Sequence, residues 1–204
     1  MCVCQEGTRN TYMSKSQYFY NAFNVMQDRE GRNLRTNDPI DPGGDTFSGI
    51  SRENWPYWIG WKLLDQSGGK VTLEIIQAVE GFYYEQFWGR IQGDALAERS
   101  NDVATEVFDT SVNFGVHRGV QFLQEGLSLL NLNKKLYPDL ELDGRIGWKT
   151  LETLRLYCVA RPPAPEVSIS RLLRVMNCLQ GMHYIEQMRK YPAKEKYRGW
   201  FDRI

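Results

Sequence analysis

The sequence predicts a mainly α-helical fold with one small β-hairpin or turn insert after the first helix. Apolar residues recur at helical spacing along most of the chain. Clusters of glycine, proline and polar residues separate these patterns. One cluster stands apart: residues 28–51, DREGRNLRTNDPIDPGGDTFSGIS. It gathers Glu30, Asp38, Asp41 and Asp45 with Gly31, Gly43, Gly44 and Gly49, directly behind a helical pattern.

Residues 1–13 read as a polar leader. Ser14 or Ser16 can cap a helix running to about Arg29. Its apolar stripe is Phe19, Ala22, Phe23 and Met26, and the next position on that stripe is Glu30. Gly31 is a natural C-terminal cap. Residues 32–51 are turn-rich, with short strands expected around Thr46 to Ile50. The run NWPYWIGW then carries Trp55, Tyr57, Trp58 and Trp61. Thr72 opens a helix with Ile75, Ile76, Val79, Phe82, Tyr83 and Phe87 on its faces. IQGDALAERSND is a break or a short helix.

Two helical stretches follow, over about 102–114 and 116–131, buried through Val107, Phe108, Val112, Val116, Val120, Leu123, Leu127 and Leu130. Gly115 and Gly119 bend this pair or let it pack closely. YPDLELDGRIG is a loop, and a helix resumes near 147–160. ARPPAPEVS breaks the chain before a long helix from about Ser168 to Lys190.

Composition narrows the function. At 204 residues, 42% hydrophobic and 13% aromatic, the chain can bury a real core. Lys+Arg and Asp+Glu are both 25, so no global field points to nucleic acid or an anionic membrane. The N-terminus lacks the apolar core of a signal peptide, and no run approaches a spanning helix. The expectation is a protein made in the cytoplasm. Cys2 and Cys4 lie in the leader, while Cys158 and Cys178 read as ordinary buried thiols. His117 and His183 are isolated, so the pattern gives no zinc site, and no cofactor is expected.

The acid-rich segment carries the best candidates for chemistry. Glu30 continues a buried stripe and sits at a helix C-terminus, where the dipole is negative. Both effects raise a carboxyl pKa, as a general acid requires. The plainer alternative is an exposed Glu ending a helix. Asp38 and Asp41 follow on a stretch that a hairpin could fold back over Glu30. Two carboxyls in different environments across a cleft are the usual equipment for glycosidic hydrolysis. Each also precedes a proline and can simply start a turn. Gly43-Gly44 permits a tight turn or close approach to a ligand. Thr46 offers a hydroxyl to position water, or is a strand residue. Trp55 and its aromatic neighbours can stack on sugars or fill a core.

These residues resemble a known family. DREG…NDPIDPGGDTFSGIS is similar to the opening motif of glycoside hydrolase family 108, the phage and bacterial N-acetylmuramidases. FYYEQFW, VFDTSVNFG, FLQ with LDGRIGWKT, and YRGWFDRI resemble its later segments, in family order, over about residues 18–204. The resemblance implies a lysozyme-like helical fold, with a catalytic region over 14–116. A helical peptidoglycan-binding-like region over 117–204 would pack on it. It places the catalytic Glu on Glu30, the Asp of Asp-Pro-Gly-Gly on Asp41 and the Thr on Thr46. Asp38, Gly44, Trp55 and Asn113 are candidate substrate contacts, and Asn113 can equally make a structural hydrogen bond.

The implied partner is the peptidoglycan glycan strand, cleaved between N-acetylmuramic acid and N-acetylglucosamine. Export would run through a phage holin or a secretion apparatus, with action on the cell wall or in the periplasm. Two departures stand out: Arg32-Asn33 replaces the usual Gly-Tyr, and the Glu-to-Asp interval is about two residues longer. They leave Asp38 as a rival to Asp41. They also motivate an alternative function, a catalytically impaired peptidoglycan-binding or secretion-accessory protein.

Overall fold

Helix α1, Gln17–Glu30, buries Phe19, Ala22 and Met26 completely and Phe23 nearly so. This is the stripe the sequence predicts, and Ser16 caps it by accepting from the Phe19 N–H at 3.1 Å. The structure, a computed structural model, describes residues 15–30, 34–37, 44–159 and 165–203. After α1 comes a three-stranded antiparallel sheet: β1 Arg35–Asn37, β2 Asp45–Phe47 and β3 Ile50–Ser51, in the order β1-β2-β3. Among the described residues, seven further α-helices follow: α2 Ile59–Gln66, α3 Leu73–Tyr83, α4 Gly93–Ala97, α5 Asn101–Phe114, α6 Val116–Leu129, α7 Trp148–Val159 and α8 Pro165–Lys190. A 3₁₀ segment runs over Pro192–Arg203. The fold is mainly α with a small sheet after the first helix.

Side-chain capping recurs where hydroxyls can reach backbone donors, at the predicted Thr72 and also at Ser100. Thr72 accepts from the Ile75 N–H at 3.4 Å and starts α3. Ser100 accepts from the Val103 N–H at 3.3 Å and starts α5. Helix α3 does not simply stop at Tyr83. It widens into a π-helical turn over Tyr84–Trp88, where Trp88 is buried. The Trp88 indole donates to Asp94 Oδ1 at 3.1 Å, and the Ser16 hydroxyl donates to the same oxygen. Asp94 thus ties the start of α1 to the start of α4.

Close packing joins α5 to α6. Gly115 turns the chain at φ +83°, and a Cβ on Gly119 would lie 2.4 Å from Ser111 Oγ and 2.9 Å from its backbone N. Glycine at 119 is therefore a steric requirement of the crossing. Helix α8 crosses the same face: the buried Gln180 amide donates to Glu106 Oε1 at 2.6 Å and to Thr110 Oγ1 at 2.9 Å. One core contains Phe19, Trp88 and Phe108 together with Leu123, Leu154, Leu172 and Met176.

The segment DGRIG is a built corner. Gln124 of α6, 2% exposed, donates from Nε2 to Asp143 Oδ1 at 2.7 Å and to Arg145 O at 3.1 Å. Its Oε1 accepts from the Gly144 N–H at 3.0 Å. Asp143 Oδ1 also accepts from the Arg145 N–H at 2.9 Å, folding the turn on itself. Gly144 sits at φ +65°, with its ideal Cβ position 2.7 Å from the His117 carbonyl oxygen. The corner delivers the chain into α7.

Two expectations are corrected. Helix α8 starts at Pro165 rather than Ser168, because proline suits the first helical position, where its missing N–H costs nothing. Cys178 is exposed and Cys158 only half-buried, so the pair are not both buried thiols. The buried line of α8 runs Ile169, Leu172, Met176, Gln180, and Cys178 falls two positions past Met176, on the other face. Burial pushes the Cys158 thiol pKa up, away from the reactive thiolate.

Candidate active site

Helix α1 ends at Glu30, the next step on a stripe whose preceding members are buried. The Glu30 side chain, Asp38 and Asp41 lie outside the described residues. In the sequence, both aspartates fall between strands β1 and β2. Residues 38–44 connect β1 to β2, and the ladder closes beneath them at Asn37↔Asp45, followed by Thr36↔Thr46 and Arg35↔Phe47. Part of the long interval between Glu30 and Asp41 is therefore spent on strand β1. Three of the residues in that interval are thus paired in the ladder.

Asp45 locks the base of this hairpin. Arg35 donates Nε and a terminal nitrogen to the two Asp45 oxygens, each at 2.8 Å, and Arg52 adds a contact at 3.1 Å. Arg52 also pairs with Asp65 of α2 and lays its guanidinium 5.0 Å from the Trp61 ring centre. The Arg35 hydrogen bond, with the charges of Arg35 and Arg52, holds the Asp45 carboxyl below its usual range against an opposing effect of burial. Asp45 is thus an ionised anchor, a role that spacing alone did not reveal.

This anchor predicts a pH dependence. The folded-state pKa of Asp45 is depressed, so on acidification the unfolded chain takes up the proton first. Its contribution is complete above the ordinary value of 3.8 and is lost as pH falls through the lower folded value. Thermal melts below pH 4 should therefore fall more steeply for the wild type than for Asp45→Asn. Parallel curves would exclude the anchor.

Thr46 lies half-buried in the central strand, paired with Thr36 on one side and Ser51 on the other. Its hydroxyl donates to Gly44 O at 3.2 Å. Gly44 sits at φ +57°, a left-handed conformation that glycine adopts without strain. The β2–β3 connection is the two-residue loop Ser48-Gly49, both at positive φ, as a tight hairpin demands. The buried Tyr83 hydroxyl donates to Ser48 O at 2.8 Å and lies 2.7 Å from where a Gly49 Cβ would sit. Helix α3 thereby holds the sheet in place. Tyr83→Phe should lower unfolding stability by about 1–2 kcal/mol, measured by urea titration, since a buried carbonyl loses a donor. No change would show that Ser48 O has an equivalent partner.

The aromatic run splits between core and surface. Trp61 is buried and donates its indole N–H to Trp55 O at 3.0 Å. Trp58 donates to Ala78 O at 3.3 Å and stacks on Phe47, joining sheet to α3. Trp55 packs edge-on to Phe82 at 4.9 Å yet remains 37% exposed, and Tyr57 is 98% exposed. Tyr57, Trp58, Lys62 and Asp65 line a shallow hollow of about 590 Å³ beside the sheet. Most of the run therefore builds the wall beside the hairpin, and Trp55 and Tyr57 keep ring surface exposed. The π-helical turn and helix α2 went unmarked in the sequence reading.

Asn113 lies elsewhere, at the exposed end of α5. Its Nδ2 donates to Asp109 O at 2.8 Å, the structural hydrogen bond foreseen as one of its two roles. Among the described residues, the structure brings Thr46 and Gly44 together in one hairpin. Trp55 stands on the chain just beyond it.

Comparison with known proteins defines the class. Residues 23–115 match the family Glycosyl hydrolase 108, and residues 118–204 match a Predicted Peptidoglycan domain. The chain is a glycoside hydrolase of the peptidoglycan-hydrolase type. The stretch that matches glycoside hydrolase family 108 comes first, and the stretch that matches the peptidoglycan domain follows it. Among solved structures it is similar to one described as Structure of Brucella abortus SagA. Identity is 22%, coverage is 91% of this chain and 92% of that one, and the TM-score is 0.49. No curated protein matches the sequence significantly.

Proposed function

We propose that the protein is an N-acetylmuramidase that hydrolyses the β-1,4 bond between N-acetylmuramic acid and N-acetylglucosamine. Glu30 acts as the general acid. Asp41 is the base or electrostatic partner, and Thr46 positions water; Asp38, Gly44 and Trp55 contact the glycan. The observation that carries this reading is the place of Glu30. It ends a helix whose stripe is buried, at the negative end of the dipole, immediately before the hairpin that bears Asp38 and Asp41. The negative end of a helix dipole favours the protonated carboxyl that leaving-group protonation needs.

The arrangement divides the labour. The Asp45–Arg35–Arg52 cluster fixes the base of the hairpin, and Thr46 in the central strand shares that fixed frame. A loop that carries a catalytic carboxylate gains from such support, because small displacements of a reacting group are costly. We also propose that residues 14–116 form the catalytic region and 117–204 a peptidoglycan-binding region. The substrate sets the place of action at the cell wall. Among the described residues, no helix is long and apolar enough to cross a membrane.

The test is release of reducing ends from purified, protein-free sacculi. The muramidase reading predicts steady release that requires Glu30. Wall binding without release would favour the alternative of an impaired wall-binding or secretion-accessory protein.

A further inference from the structure

A second concavity, of about 310 Å³, opens where the end of α5 meets α8 and the 3₁₀ segment. Asn113 and Phe114 come from α5, His183, Tyr184 and Gln187 from α8, and Lys194 from the 3₁₀ segment. The two matched domains meet here, since Asn113 and Phe114 fall in the first and the other four residues in the second. None of these residues belongs to the hairpin or its aromatic wall.

The lining has distinct chemical parts. Phe114 packs edge-on to His183 at 5.2 Å and against Tyr184 at 4.9 Å, giving an apolar wall. The Lys194 ammonium donates to Gln187 Oε1 at 2.8 Å and lies 4.9 Å from the Tyr191 ring centre. Among the described residues, no carboxylate forms an ion pair with Lys194. Gln187 accepts through Oε1, so its amide N–H₂ is left to donate. Asn113 donates through Nδ2 to its own helix, so its Oδ1 is left to accept. Burial, with the charges of Arg118 and Lys194 outweighing that of Glu186, pushes the His183 pKa down and favours the neutral imidazole. The wall is then an uncharged aromatic surface beside a cation.

We propose that this cavity binds the free carboxyl end of a short peptide. Lys194 and the Gln187 amide receive the carboxylate, Asn113 Oδ1 accepts a peptide N–H, and Phe114 with His183 covers a small apolar side chain. The volume lies at the low end for small-ligand sites and suits one or two residues. Resting on the peptidoglycan reading, the peptide is the end of the stem carried by the glycan strand. The site would read the stem while the hairpin cleft acts on the sugar.

The test is calorimetric titration of the full chain with a free stem tetrapeptide, with the same peptide amidated at its C-terminus, and with a peptide-free disaccharide. The free acid should bind about tenfold more tightly than the amide, as expected for loss of a charge-assisted hydrogen bond. The disaccharide should not compete. Lys194→Gln should lose the same factor and Lys194→Arg should retain most of it. Equal binding of acid and amide by the wild-type protein would overturn the proposal. So would unchanged affinity in Lys194→Gln, or no binding of either peptide. Reducing-end release from sacculi, followed in parallel, reports on the hydrolase reading separately. Peptide binding without hydrolysis would remove the muramidase assignment alone, and hydrolysis without carboxylate-dependent binding would remove this site alone.

Discussion

Replacing Glu30 with Gln is expected to lower hydrolysis of purified sacculi by about 10²–10⁴-fold, the usual weight of a general acid. The amide keeps the shape of the side chain and removes the transferable proton. Stability should change little, because the buried side of α1 is supplied by Phe19, Ala22, Phe23 and Met26, which the substitution leaves intact. A matched pair of measurements separates the causes. Unfolding midpoints should coincide within error while the release of reducing ends collapses. Activity close to wild type in a folded Glu30→Gln protein would remove Glu30 from the reaction.

The second large effect concerns the fold. Gln124→Ala should destabilise the protein by about 3–5 kcal/mol, measured by denaturant unfolding. Gln124 is buried and its amide satisfies Asp143, the Arg145 carbonyl and the Gly144 N–H together. Alanine would strand the buried Gly144 N–H and leave a void beside α7. Gly144→Ala should act on the same corner from outside, because its Cβ would press on His117 at a backbone angle that alanine resists. Losses below about 1 kcal/mol for both would show that the DGRIG corner reforms without its glutamine.

The helices were readable because each keeps one face buried over several turns. The α1 stripe, the Ser16 and Thr72 caps and the α5–α6 break at Gly115 all follow from local rules. Helix α2 was hidden by its composition. Pro56, Gly60 and three tryptophans obscure the spacing, although Trp61 and Leu64 lie on its buried side. Strand β1, Arg35-Thr36-Asn37, is exposed throughout and shows no apolar alternation. Only its pairing with β2 makes it a strand.

The site was legible in parts. Glu30 stood out in the sequence because a carboxyl continuing an apolar stripe is physically unusual; its side chain lies outside the described residues. Asp45 was not, since its role depends on Arg35 ten residues before it and Arg52 seven after it, brought together by the register of the hairpin. The junction cavity was beyond reach for the same reason. Its residues come from the end of α5 and, far along the chain, from α8 and the 3₁₀ segment behind it, and each looks ordinary alone.

The identity of the new reducing end tests the central claim most directly. Sacculi digested by the wild-type protein would be reduced with borohydride, hydrolysed and separated. The account predicts that the reduced amino sugar is muramic acid, appearing in step with solubilised glycan and absent with Glu30→Gln. Reduced glucosamine in its place, or solubilisation with no new reducing end, would contradict it.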